Sequence, residues 1–450
     1  MTREDLSAAI DRVLPSVRAD LEDLVRIPSV SADPARAGDV QRSAEATAAL
    51  FEAEGFSVRI VRAGEGAPAV IAKKPAPAGK PTVLLYAHHD VQPTGAVEEW
   101  TSPPFEPTER GDRLYGRGAA DDKAGIAAHL AAVRAFGNDL PVGVTVFVEG
   151  EEEIGSPTLT ALLAEYADEL TADAIVIADS GNFAIGQPAL TISLRGLVDC
   201  YVEVRTLKHA VHSGLYGGAA PDALSALCRL LATLHTEDGD VAVDGLHAGR
   251  AADLEYPQER FREESSLLDS VHLIGSGSLV DRLWTRPAVA VLAIDAPRVA
   301  DASNTLVPVA RAKVSLRVAP GDDAVKALEA LRNHLEENAP WGAEVTVRDG
   351  EKGQPCSINA HGPAYDAARA AFAAAWGVEP VDTGMGGSIP FIAEFQEAFP
   401  RAAVMVTGVE DPDTRAHGVD EGLHLEEFTK VCLAEAHLLR NLSRLPTPLA

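Results

Sequence analysis

The sequence predicts an α/β protein: a mostly parallel sheet covered by helices, with a smaller α+β domain inserted into it. Three observations carry this expectation. Four short segments, "TVLLYA" (82–87), "VTVFV" (144–148), "AIVIA" (174–178) and "AVMVTG" (403–408), are continuously apolar, as strands buried on both faces are. Segments of helical period lie between them. In the middle of the chain, "LVDCYVEVRT" (197–206) and "RAKVSLRVAP" (311–320) alternate apolar and polar residues, the mark of half-exposed antiparallel strands.

Along the chain, Thr2 and Asp5 form a capping pair. Leu6, Ile10, Val13, Leu14, Val17 and Leu21 then recur at helical spacing, and the helix should end near Ile27, before Pro28. A second helix is expected over 40–54, stopping at Gly55. "DDKAGIAAHLAAVRAFG" puts Ile126, Leu130 and Val133 on one face and stops at Gly137. Helical patterns at 221–234 and 322–338 follow the alternating strands. The resulting order, strand-helix-strand-strand-helix-strand, is ferredoxin-like. Domains are therefore expected at 1–195, 196–352 and 353–450, the first and last forming one body. The stretch 236–285 is charged and carries no readable pattern.

Bulk properties narrow the function. A chain of 450 residues exceeds one compact core. Its 46% hydrophobic and 24% charged content is ordinary for a globular protein. The formal charge of −28, from 39 basic and 67 acidic residues, repels nucleic acid and anionic membranes. Cys200, Cys228, Cys356 and Cys432 are far apart, which suits a reduced, cytoplasmic chain without a thiolate metal site. The start, "MTREDLSAAIDRVL", lacks the apolar core of a signal peptide. No run of about 18 apolar residues is present to span a membrane.

The apolar strands share a second property: each is followed by residues with chemistry. His88, His89 and Asp90 follow the first. "EGEEEIGS", with Glu151, Glu152 and Glu153, follows the second. Asp179 and Ser180 follow the third, and a loop carrying His417 follows the fourth. Sites in open α/β sheets gather beyond the carboxyl ends of the strands. Singly, these pieces read as a turn, an acidic loop, a helix cap at "DDK" and an uninformative histidine. Together they argue for one site. Histidines and carboxylates without cysteine suit Zn²⁺, Mn²⁺ or Co²⁺, and the carboxylates suffice for two ions about 3.5–4 Å apart. In an extended chain, residues two apart share a side. His88 and Asp90 should therefore face the site, while His89 faces away to pack or make a local hydrogen bond.

The motifs "YAHHDVQP", "WTSPPFEPTERGDRLYGRGAADDKAG", "EGEEEIGS", "IADS", "LRG", "VHSGLYGG", "LRVAPG", "MGGSIPF" and "RAHGVDE" cover nearly the whole chain. On these, the sequence resembles the dinuclear metallopeptidases and amidohydrolases that include carnosinase, bacterial dipeptidases, aminoacylase, carboxypeptidase G and succinyl-diaminopimelate desuccinylase. "HDVQP", "HSGLYGG" and "GGSIP" place it nearest the carnosinase-type branch. The resemblance implies that 196–352 is a lid and dimerisation domain. It implies that His88 and Asp179 bind one ion and that Glu153 and His417 bind the other. Asp121 then bridges the two, and its peptide bond to Asp122 is expected to be cis. Glu152 is implied as general base toward the metal-activated water and Asp90 as the residue orienting His88. His212 is implied as oxyanion stabiliser from the partner subunit of a homodimer. Arg317 is implied to grip the substrate carboxylate, with Thr305, Gly387 and Ser388 as further substrate contacts. Three consecutive glutamates leave one question. Alignment on "EGxEExGS" selects Glu152 and Glu153; strand alternation also puts Glu151 and Glu153 on the same side, which makes a one-residue shift less attractive without excluding it. Glu421 either supports His417 or is a surface acid. The implied function is metal-dependent hydrolysis of dipeptides or similar short peptides. The alternatives are an N-acyl amino acid deacylase on the same scaffold and a non-catalytic metal- or peptide-binding protein.

Overall fold

A computed structural model describes residues 3–251, 253–387, 390–447 and 449. Thr2, the expected cap partner, lies outside the described residues. The chain forms two compact units: 1–192 with 358–382 and 394–450, and 193–357 with 383–393.

The first unit opens with helix α1 (Arg3–Val25), whose Leu6, Ile10, Val17 and Leu21 are buried while Val13 and Leu14 are partly covered. Each fully buried aliphatic side chain contributes about 1.5–3 kcal/mol. The helix ends two residues before Ile27. The Lys123 ammonium, itself fully buried, takes the carbonyls of Leu24 (2.8 Å) and Ile27 (2.7 Å), capping that end. Helix α2 (Ala37–Ala53) leads into strands β1 (Ser57–Val61), β2 (Ala69–Lys74) and β3 (Thr82–His88). Then come α3 (Lys123–Phe136), β4 (Gly143–Glu149), β5 (Ala174–Ile177) and β6 (Ala189–Leu194). Asp122 caps α3 by accepting from the Gly125 amide at 3.2 Å. A side chain at Gly125 would collide with that carboxylate, so the glycine keeps the cap open.

The second unit holds β7 (Gly196–Arg205), α4 (Ala223–Ala232), β8 (Ala288–Asp295), β9 (Val309–Val318), α5 (Ala324–Glu337) and β10 (Glu344–Gly353). Its antiparallel sheet runs β8-β9-β7-β10. The apolar side of the alternating strands, Val198, Cys200, Val202 and Val204 on β7 and Ala312, Val314 and Leu316 on β9, packs with Leu227, Leu230, Leu328 and Leu331 of the two helices. Among its described residues, the unreadable stretch before β8 contains a short helix, Gln258–Glu264, and a π-helical turn, Asp281–Thr285, joined by turns and loops.

The chain then returns to the first unit with α6 (Pro363–Trp376), β11 (Ala403–Val406) and α7 (Leu425–Leu442). The large sheet runs β1-β2-β4-β3-β5-β11-β6. Strand β3 is parallel to β4 and β5, and β5 is parallel to β11, while β1, β2 and β6 join antiparallel at the flanks. The parallel strands are buried along their length, which is why they read as unbroken apolar runs. Their register brings the carboxyl ends together: His88 pairs with Glu149, and Ile177 pairs with both Tyr86 and Val406. Among the described residues no helix is long and apolar enough to cross a membrane.

A buried ion pair ties α3 to α7 and to the sheet. His129 Nδ1 lies 2.9 Å from both Glu435 oxygens, and Nε2 lies 3.0 Å from the Tyr86 carbonyl. Burial opposes charging of this imidazole, but the Glu435 carboxylate outweighs it and raises the His129 pKa. The stability this adds is fully present below the unfolded histidine's pKa, about 6.5, and is lost as pH rises through the raised folded value. Urea unfolding should therefore show His129→Gln about 3–5 kcal/mol less stable than wild type at pH 6, with the gap narrowing toward pH 9. A gap independent of pH would contradict the charged pair.

Candidate active site

The carboxyl edge of the parallel strands gathers six ionisable side chains. His88 ends β3 and is fully buried. Its Nε2 lies 3.0 Å from Asp121, 3.9 Å from Asp179 and 4.0 Å from Glu152. His417 Nε2 lies 3.0 Å from the other Asp121 oxygen and 3.2 Å from Glu153. Asp121 thus stands between the two imidazoles. The Asp121–Asp122 peptide bond is cis.

His88 is oriented by its neighbours. Its Nδ1 sits 3.0 Å from the Asp90 carbonyl, so Nδ1 carries the proton and Nε2 faces the acids. The Asp90 carboxylate is farther from Nδ1, at 3.5 Å. The carbonyl makes the shorter contact, and the carboxylate of the same residue also favours the charged His88 ring. The carboxylate accepts the amides of Glu152 (3.2 Å) and Glu153 (3.1 Å) as well. It fixes the short turn Glu152–Ile154 that carries both acids.

That turn answers the question of the three glutamates. Strand β4 stops at Glu149, so alternation no longer applies beyond it. Glu151 turns away, accepting from the Ala67 amide (2.7 Å) and the Thr158 hydroxyl (2.6 Å). Glu153 faces His417 and is held by the Gln92 amide (3.0 Å) and side chain (2.8 Å). Among the described residues, no hydrogen bond ties the Glu152 carboxylate.

The electrostatics call for positive charge. Burial first, then Asp179, drives the Glu152 pKa well above the ordinary carboxylate range. Burial, with Asp121 and Glu153 adding repulsion against the attraction of His88, pushes Asp179 up to about 7. Hydrogen bonds that His417 donates to Asp121 and Glu153 hold its pKa up at about 11, against burial. Two donor sets, His88 with Glu152 and Asp179 and His88 with Asp121 and Glu153, each converge within 4.8 Å. Imidazole and carboxylate donors converging this closely fit divalent cations.

A family model described as peptidase family M20/M25/M40 matches residues 84–441. The chain belongs to this family. It is 36% identical over 429 residues to a cysteinylglycine-S-conjugate dipeptidase of Corynebacterium striatum, spanning 93% of this chain and 94% of that one. Among solved structures it is similar to the Saccharomyces cerevisiae dipeptidase Dug1p (TM-score 0.82, 23% identity, 99% of both chains). It is also similar to human carnosine dipeptidase 1 (TM-score 0.81, 25% identity, 99% of both chains). This chain is therefore a metallopeptidase, a metal-dependent hydrolase.

The remaining residues of this M20 peptidase divide between its units. Glu421 is fully buried, so it is no surface acid, and its partners lie on the Asp121 segment rather than at His417. It accepts from the amides of Gly118 (3.0 Å), Ala120 (2.9 Å) and Asp121 (3.1 Å), and from Arg117 (2.6 Å). It therefore holds the segment that presents Asp121. Sequence reading also missed Gln92, Arg117 and Glu410. The first two stand inside the quoted motifs but are polar types common at surfaces. Glu410 lies near enough to Asp121 and Asp179 that, after burial, their charges raise its pKa.

In the second unit, His212 pairs with Thr305 across a two-residue ladder, so these two share one location. His212 Nδ1 accepts from the Gly214 amide at 3.0 Å, and the residue is exposed. Arg317 is half-buried on β9. Gly387 follows the strand Val381–Met385 and is half-buried, while Ser388 lies outside the described residues.

His89, fully buried, points away from the cluster, and its Nε2 donates to the Pro68 carbonyl at 2.8 Å. Burial lowers its pKa to about 4, so it is neutral. Its replacement therefore leaves a buried carbonyl unpaired. Elemental analysis should find metal lost from His88→Ala and retained by His89→Leu. Denaturation should find His89→Leu destabilised by about 1–3 kcal/mol. Equal metal loss from both variants would contradict the assignment.

Proposed function

We propose that this chain is a metal-dependent exopeptidase that hydrolyses dipeptides or similar short peptides. The observation that carries the reading is the convergence of His88, Asp121, Glu152, Glu153, Asp179 and His417 at one sheet edge. The dipeptidase names of its relatives agree with it. In this reading His88 and Asp179 hold one ion, Glu153 and His417 hold a second, and Asp121 serves both. The donor set favours Zn²⁺, with Mn²⁺ or Co²⁺ as substitutes. Bound there, the ions supply Lewis acidity and bring the pKa of water down to roughly 7.

Glu152 takes the proton of the attacking water and returns it to the leaving amine. A raised pKa suits a group that must both accept and give a proton near neutrality. Arg317 receives the substrate's carboxylate, for which a guanidinium fork is matched. Thr305, Gly387 and Ser388 line the substrate. Among the described residues Cys200, Cys228, Cys356 and Cys432 form no disulfide, which supports a reducing compartment, the cytoplasm.

We further propose that the region 196–352 serves as lid and dimerisation domain, with His212 stabilising the oxyanion in the partner's site. Two features support a second copy. Strand β8 is the edge of its sheet, with Val291, Leu292 and Ile294 exposed. Leu215 and Tyr216, beside His212, are 76% and 55% exposed.

Glu152→Gln should retain metal and lose turnover by at least about 10²-fold. Near-wild-type activity would remove Glu152 from the mechanism. A panel of dipeptides and N-acyl amino acids, assayed with Zn²⁺ and Mn²⁺, separates the peptidase reading from the deacylase one. For the interface, inactive Glu152→Gln and His212→Ala chains should complement on mixing, reaching about a quarter of wild-type activity in randomly exchanged dimers. No recovery after verified exchange would count against His212 acting across an interface.

A further inference from the structure

Arg195, in the "LRG" motif just before β7, is 92% buried by virtue of an 8% exposure, and no carboxylate accompanies it. Its Nε donates to the Gly386 carbonyl (3.3 Å), and its Nη1 to the carbonyls of Arg282 (3.3 Å) and Arg286 (3.5 Å). Among the described residues Nη2 makes no hydrogen bond. A Cβ at position 386 would come within 2.7 Å of Nη2, so Gly386 leaves that nitrogen uncovered.

Arg317 stands beside it. The register pairs Arg317 with Leu197 and Val318 with Gly196. Arg195 is the residue just before the end of this ladder, two positions from the partner of Arg317. The two charges feel each other: burial, then Arg317, brings the Arg195 pKa down to about 10. Arg317 has no hydrogen-bond or ion-pair partner among the described residues, and burial alone depresses its pKa. Two adjacent guanidiniums without a counter-ion are costly to hold in a folded chain. They are more conspicuous here because the chain carries 67 acidic residues against 39 basic ones.

We propose that Arg195 and Arg317 together form a two-guanidinium seat for a carboxylate, and that Arg195 is a second determinant of specificity for substrates with a free C-terminal carboxylate. The ligand's identity rests on the dipeptidase reading above; the existence of the anion seat does not. Arg317, half-exposed, meets the carboxylate from one side. Arg195 is locked by the three carbonyls and offers Nη2 from the other. A fork already fixed in place loses little freedom on binding.

The test compares KM for leucylglycine and leucylglycinamide on the metal-loaded, full-length protein. Arg195→Met should raise KM for leucylglycine about tenfold or more and change that for the amide less than about twofold. Arg317→Met should shift the ratio in the same direction. Arg195→Lys keeps the charge and should recover part of the preference, and Gly386→Ala, by covering Nη2, should weaken it. Loss of the carbonyl ties alone would affect both substrates equally. An unchanged ratio in Arg195→Met, with wild-type circular dichroism and metal content, would overturn the seat. If the wild type cleaves neither compound, the dipeptidase reading fails separately. Calorimetry with L-leucine and L-leucinamide then decides the seat. Weakening of leucine alone in Arg195→Met supports it, and equal binding by variant and wild type overturns it.

Discussion

Asp121 sits 3.0 Å from His88 on one side and 3.0 Å from His417 on the other, and much of the first unit is arranged to keep it there. A carboxylate shared between two imidazoles and crowded by three more acids would be expelled to solvent if its backbone were free. Glu421 prevents this by accepting the amides of Gly118, Ala120 and Asp121 at once, with Arg117 balancing its charge. On the other side, Asp122 caps α3 and accepts the His88 amide at 3.2 Å. Lys123 anchors the same segment to the end of α1. Three consecutive residues, "DDK", thus serve site, cap and anchor.

The same economy governs the glutamates. One carboxylate, Asp90, accepts both amides of the turn that bears Glu152 and Glu153, while its own carbonyl sets the His88 tautomer. The position of the base and the orientation of a proposed ligand therefore depend on one residue. Hydrogen bonds to a charged acceptor are the stronger kind, and here they act in a buried setting that strengthens them further. Beneath them, Tyr86 donates to Glu149, whose buried carboxyl is pushed up to about 8, chiefly by burial. The floor of the site is thus close to neutral, and the surplus of negative charge is confined to the edge where cations would bind.

The second unit solves a different problem. Its sheet has one apolar face sealed by α4 and α5, so the alternation of β7 and β9 is fully accounted for. What alternation leaves unexplained is the pair of arginines near the end of the β7–β9 ladder. Arg195 reads in sequence as an ordinary polar residue before a strand. Only the cross-strand register, which brings it next to Arg317, shows two like charges held together without an acid.

The sequence by itself determined the four buried strands, the two alternating ones and the edge at which chemistry gathers, because continuous apolar runs and period-two alternation are local properties that burial imposes on the chain. Strand ends in such sheets converge, so it also placed His88, the glutamates 151–153, Asp179 and His417 together, while Asp121 and the choice among the glutamates came from the family resemblance. The tertiary structure decided what depends on partners distant in sequence. Glu151 is excluded by Ala67 and Thr158, more than a strand away or on the following turn. Glu421 serves Asp121 from 300 residues on. His89 is spoken for by Pro68. A side chain's type shows what it can bond to, but only the folded chain decides which groups lie within about 3 Å of it, and hydrogen bonding weakens steeply beyond that distance.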